Sequence, residues 1–118
     1  MRLKTNAARG GTIEHVYVKD VAVRLVGRAA IEIDLFYEEG RKGDFIPTVR
    51  SVSVDRMRVA SCERAFNIVG YQEAPIRSIR LTDCSFEGVK KDPALKDIVG
   101  FDVVRTVVNG KEFHPPAE

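Results

Sequence analysis

The chain has 118 residues, of which 44% are hydrophobic and 31% charged, with a formal net charge of +2. Those values fit one globular domain, residues 1–118, large enough to bury a modest core. They exclude a membrane-spanning helix, because no apolar run approaches the roughly 18 residues a span needs. Positive and negative residues are interspersed, which does not describe a nucleic-acid binder.

From the N-terminus, Met1-Arg2-Leu3-Lys4-Thr5 alternates apolar and polar residues and reads as a strand. No apolar run follows it. The sequence as given therefore carries no signal peptide and is expected in the cytoplasm. Arg9-Gly10-Gly11 marks a turn. Next come Ile13, Val16, Val18, Val21 and Val23, separated by steps of three, two, three and two. The same spacing returns as Val49, Val52, Val54, Met57, Val59. It returns again as Ile76, Ile79, Leu81, Cys84, Phe86, and finally as Ile98, Phe101, Val103, Thr106, Val108. A recurrence of this kind is the signature of a repeat architecture.

A two-residue step keeps side chains on one face of a strand. A three-residue step means the chain bends, so each copy is expected to hold two short strands meeting at a corner. Mostly β-branched residues at these positions suit strands. One copy cannot bury its apolar face alone, but stacked copies can, with strands about 4.8 Å apart. The pattern predicts an all-β fold, a short parallel β-helix (a solenoid) of about four rungs. Buried columns are expected at Val16, Val18, Val52, Val54, Ile79, Leu81, Phe101 and Val103.

The segments between copies support the stack. Leu25 to Ala29 reads as a corner with Gly27. Ala30-Ile31-Glu32-Ile33-Asp34 is a second strand of the first rung, with Ile31 and Ile33 inward and Glu32 and Asp34 outward. Ala65-Phe66-Asn67-Ile68-Val69 repeats it, and Met1 to Thr5 aligns with both. Phe36 to Pro47 is the longest irregular stretch and reads as a surface loop. Gly70 to Pro75 and Gly88 to Asp97 read as turns. Pro115-Pro116 forbids further ladder bonding and is expected to close the coil.

Few residues carry obvious chemistry. Cys84 takes an inward position of the third copy and reads as a buried free thiol. Cys62 reads as part of the turn after the second copy, in a different column, so no disulfide is expected. His15 and His114 lack ligand partners at metal spacing, so neither a metal nor a cofactor is expected. His15 falls between inward positions and is expected to face solvent. Arg50, Arg56, Arg58, Arg77 and Arg80 read as a solvated outer face, with no aromatic residues interleaved as a stacking platform would require.

Three stretches resemble a known family. Arg2-Leu3-Lys4, followed by Thr5, is similar to the Arg-Ile-Lys signature of the polygalacturonases of glycoside hydrolase family 28. Ala30 to Tyr37 and Ala74-Pro75-Ile76-Arg77 are similar to bacterial members. The resemblance covers essentially the whole chain, but only the C-terminal part of such an enzyme. It implies a right-handed coil and a parent activity of pectin depolymerisation, in a family often secreted or periplasmic. It also implies that Arg2 and Lys4 contact a carboxylate of polygalacturonate. A guanidinium fork and an ammonium point charge suit that ligand. Tyr37 is a candidate for stacking on a sugar at the cleft edge.

The resemblance also exposes a gap. The family hydrolyses its substrate with three aspartates, in an Asn-Thr-Asp motif and an Asp-Asp pair, aided by a Gly-His-Gly histidine. This sequence contains none of these motifs. Inverting hydrolysis requires an acid and a base with carboxyls about 6.5–9.5 Å apart. Glu32 and Asp34 lie two apart on one strand, near that range, but the aligned columns place Glu32 beside Arg2 and Asp34 beside Lys4. Opposite charges on neighbouring strands pair, whereas an acid catalyst is set in an apolar pocket. No residue is therefore assigned a catalytic role.

The sequence thus reads as a truncated polygalacturonase-like β-helix, inactive alone, with an acidic polysaccharide as its possible ligand and no nucleic-acid or membrane partner. Alternatives are a self-assembling structural solenoid, or a subunit lending part of a sugar-binding cleft to a partner. An uncapped N-terminal end, with unpaired strand edges and exposed apolar columns, further predicts a homo-oligomer, most simply a dimer.

Overall fold

The computed structural model describes residues 1–4, 11–36 and 46–116. Among them the structure is all-β, built from strands that pair in parallel in two curled sheets. The first sheet has the order β1 (Arg2–Lys4), β3 (Val26–Asp34), β5 (Cys62–Val69), β8 (Ala94–Lys96). The second sheet is centred on β4 (Thr48–Val59), flanked by β2 (Thr12–Val23) and β6 (Ile76–Thr82), with β9 (Ile98–Val104) beyond β6. The second half of β4 also pairs with β7 (Ser85–Phe86), which continues to β10 (Val107–Val108). The chain then turns back antiparallel as β11 (Lys111–Glu112).

The four apolar copies stack in register. Val16 lies opposite Val52, Val52 opposite Ile79, and Ile79 opposite Phe101. Val18, Val54, Leu81 and Val103 form the next column. Val23, Val59, Phe86 and Val108 form another. In the first sheet Leu3, Ile33, Ile68 and Leu95 line up in the same way. This continuity follows from the period-2 alternation of side chains: a slip of one residue would turn every apolar column outward.

The three-residue steps mark the bends. A residue with positive φ sits inside each: His15, Ser51, Ser78 and Gly100 at the first step of the four copies, and Asp20, Arg56, Asp83 and Arg105 at the second. A single left-handed residue rotates the strand direction without breaking the ladder, so β2 and β4 each run for 12 residues through two bends. Each copy therefore has two corners rather than the one expected.

The core runs along the coil axis. Val49, Val52, Val54, Ile76, Ile79, Leu81, Ile31, Ile33, Phe66 and Phe86 are all buried. Phe66 makes edge contacts with Phe86 and Phe101, with ring centroids 5.1 and 5.9 Å apart, and Phe113 leans on it at 5.0 Å. Val16, Val18 and Val103 are only half-buried, in contrast to the expectation. They lie on β2 and β9, the outermost long strands among the described residues, so each has a neighbour on one side.

Two further readings are corrected. Residues 88–97, read as a turn, contain β8, which pairs with β5 through Asn67–Ala94, Ile68–Leu95 and Val69–Lys96. Cys62, read as part of a turn, opens β5 opposite Val26 and is buried. The corner expected over residues 25–29 is also shorter, since β3 begins at Val26 with an irregularity before Ala29. Of the loop expected from Phe36 to Pro47, residues 37–45 lie outside the described residues.

Candidate functional site

The first sheet turns its outer face to solvent, and the alternation of its strands decides what stands there. Inward Leu3, Ile31 and Ile33 alternate with outward Arg2, Glu32 and Asp34. Parallel register then brings Arg2 opposite Glu32 and Lys4 opposite Asp34. Arg2 Nε lies 2.8 Å from Glu32 Oε2. Asn67, the next residue in that column, donates from Nδ2 to Glu32 Oε1 at 3.0 Å. Glu32 is thus gripped through both oxygens, while Arg2 keeps close to half of its side-chain surface in solvent. Asp34 folds back locally, its Oδ1 accepting the Phe36 backbone N–H at 2.8 Å, an Asx-type turn.

This arrangement organises a cation and engages the carboxylates. Glu32 holds the guanidinium of Arg2, and Asp34 holds a turn. The Lys4 side chain lies outside the described ones, as does Tyr37. Of the three residues singled out for sugar binding, the structure therefore gives side-chain geometry for Arg2 alone. Asn67 was missed by the sequence reading. Its signal was its outward position in the second copy of the strand, in line with Glu32.

The charged groups elsewhere form ladders along the bends. Arg56 makes a two-pronged contact with Asp20, with Nη2 to Oδ2 at 3.2 Å, and reaches Asp55 Oδ2 at 3.1 Å. Arg105 grips Asp83 in the same way, Nε to Oδ1 at 2.6 Å and Nη2 to Oδ2 at 3.2 Å. Arg50 Nε donates to Glu14 at 2.6 Å. Hydrogen bonds from these arginines hold Glu14, Asp20 and Asp83 below the usual carboxylate range. Each pair joins neighbouring rungs of the coil, and all stand at the surface.

His15 is largely exposed, 3.9 Å from Glu14. Cys62 and Cys84 are both buried free thiols, and burial pushes both upward from the ordinary thiol range. Among the described residues no three His, Cys, Asp or Glu side chains gather as a metal site would need.

Among solved structures, the chain is similar to a hyperthermoactive exopolygalacturonase from Thermotoga maritima. The TM-score is 0.84 and the identity 32%, over 95% of this chain and 25% of that one. The chain thus spans about a quarter of that enzyme's length. No family model matches the sequence, and no curated protein does. The likeness, extending over nearly all of the chain, gives it a polygalacturonase-like β-helix fold.

Proposed function

We propose that the chain is the pectin-binding C-terminal portion of a glycoside hydrolase family 28-type β-helix, a right-handed coil of about four rungs. In this reading the outer face of the first sheet holds an acidic galacturonate chain. The observation that carries it is the Arg2–Glu32 pair at the position of the family's Arg-Ile-Lys signature, on a fold matching an exopolygalacturonase at 32% identity. Arg2 and Lys4 supply the carboxylate contacts; Glu32 holds the guanidinium of Arg2, and Asn67 in turn holds Glu32. Preorganisation of this kind lowers the ordering cost on binding. The 118 residues carry no Asn-Thr-Asp, Asp-Asp or Gly-His-Gly motif, so they bind without cleaving.

Titration calorimetry with trigalacturonate tests this reading. Binding is expected to weaken about tenfold or more in Arg2→Ala, as loss of a charge-assisted hydrogen bond implies, and to weaken again with added salt. Undiminished affinity in an Arg2→Ala, Lys4→Ala double variant would refute it.

A second reading concerns association. The inward valines of β2 are half-buried, whereas their register partners Val52, Val54, Met57 and Val59 are buried. Val16, Val18, Val21 and Val23 step by two, three and two, a spacing that reads the same in both directions. Two copies of β2 could therefore pair antiparallel about a two-fold axis, with Lys19 of one chain facing Asp20 of the other. Self-association of these 118 residues is proposed on that basis.

A further inference from the structure

The last strands of the second sheet close in a hairpin. Val107 and Val108 of β10 pair antiparallel with Glu112 and Lys111 of β11, leaving Asn109 and Gly110 as the loop between them. Their φ values of 50° and 78° are the paired left-handed values of a type I′ turn, which Asn-Gly suits. The Asn109 side chain then reaches back to Val89, in the segment after β7. Its Nδ2 donates to the Val89 carbonyl and its Oδ1 accepts the Val89 N–H, both at 2.9 Å. Val89 is itself bridged in parallel to Cys62, which lies opposite Val26. The amide of Asn109 thus offers Val89 the donor and acceptor that a further strand would offer. Beyond the turn the chain lies over the apolar interior. The Phe113 N–H donates to the Thr106 carbonyl at 2.9 Å, and the Phe113 ring centroid is 5.0 Å from that of Phe66 and 6.4 Å from that of Phe101.

We propose that Asn109 is a modification site: a slow deamidation that undoes this latch and loosens the hairpin from the coil. The reacting groups are adjacent and open to solvent. Asn109 and Gly110 are both exposed, and a Cβ added to Gly110 would meet nothing within 4 Å. In the step, the Gly110 backbone nitrogen gives its proton to solvent hydroxide and attacks Asn109 Cγ. The new C–N bond closes a cyclic imide, the Cγ–Nδ2 bond breaks, and Nδ2 leaves as ammonia with a proton from water. Water then opens the imide at either carbonyl, leaving aspartate or isoaspartate at position 109. One water is consumed and one ammonia released, with no change of oxidation state. The bonds to Val89 fix the side-chain torsions and hold the departing nitrogen, so reaction waits for the latch to open. The product does not restore it. An ionised aspartate only accepts: it takes the Val89 N–H but sets its other oxygen against the Val89 carbonyl. Isoaspartate also adds a carbon to the backbone of a turn that fits two residues of left-handed φ. The conversion therefore runs one way, and the cover over Phe66 and Phe101 is left loosely held.

Peptide mapping by mass spectrometry tests this on the full chain, kept for the same period folded in neutral buffer or unfolded in urea. Aspartate and isoaspartate are expected at position 109 in both, about tenfold faster in urea, because the folded chain must first break the Val89 bonds. Asn67, followed by Ile68, is the internal reference and should convert far more slowly in urea. No conversion at position 109, or equal rates folded and unfolded, would overturn the proposal. Hydrogen exchange reads the release. In Asn109→Asp the Phe113 amide should exchange about tenfold faster, while the amides of Val54 and Leu81 keep their protection. Asn109→Gly keeps the left-handed turn and removes the side chain. It should show the same change at Phe113, and it decides the matter if the aspartate variant fails to fold. Unchanged Phe113 exchange in the folded variants would overturn the latch.

Discussion

Non-glycine residues in the left-handed region mark the bends, with φ of 58° at Ser51, 56° at Arg56 and 46° at Arg105. Each costs about 1–2 kcal/mol relative to the right-handed conformation, offset by the ladder bonds that continue on either side. Gly100 occupies the column of Ser51 and Ser78 with φ 78°, and an added Cβ there would make only an ordinary contact, with Ser78 N at 3.5 Å. Gly100→Ala should therefore destabilise by about 1 kcal/mol through backbone strain alone. Gly70→Ala should cost more, because its Cβ would overlap the Asp97 carbonyl. Urea midpoints of the two variants check the order. The bends themselves were legible in the three-residue steps. The left-handed conformation was not, because arginine at positions 56 and 105 carries no local preference for it and is held there by the stack.

Between elements, the arginine–carboxylate ladders tie β2 to β4 and the bend after β6 to the bend after β9. Glu14, Asp20 and Asp83 have folded values below their ordinary ones. The folded chain thus releases these protons more readily than the unfolded chain. Their stabilisation is present above the unfolded values, about pH 4, and is lost as pH falls through the lowered folded values. The urea midpoint should hold between pH 7 and 5 and fall below about pH 4. Asp83→Asn should flatten part of that fall, and high salt should shrink it, since these groups are exposed. An acid limb unchanged in Asp83→Asn would remove this pair from the account. The strand most easily missed was β8, three residues between Pro93 and a left-handed Asp97. Its Ala94-Leu95-Lys96 echoes Arg2-Leu3-Lys4, but so short a run is specified by pairing to β5 more than by its own pattern.

Across the whole molecule, stability rests on columns that only stacking buries. Val54 sits mid-column on β4, between Val18 and Leu81, and is 1% exposed. Val54→Asp places an unpaired charge there at a cost of several kcal/mol, and loss of cooperative unfolding is expected by circular dichroism. A cooperatively folding variant would contradict the register. Sedimentation at micromolar concentration should find species heavier than the 13.2 kDa chain; a monomer stable on dilution would contradict pairing through β2. The columns could be read from spacing alone because a parallel stack repeats the same inward positions rung after rung. The geometry around Glu32 could not, since the place of Asn67 beside it arises from which rungs become neighbours.

The most direct measurement is a single NMR titration of the chain with trigalacturonate, following protein amides and sugar together over hours. Saturable shifts at Arg2, Glu32 and Asn67 with the trisaccharide left intact are the expected result. Cleavage that disappears in Glu32→Gln or Asp34→Asn, or saturation without any shift on that face, would contradict a sheet that binds galacturonate without hydrolysing it.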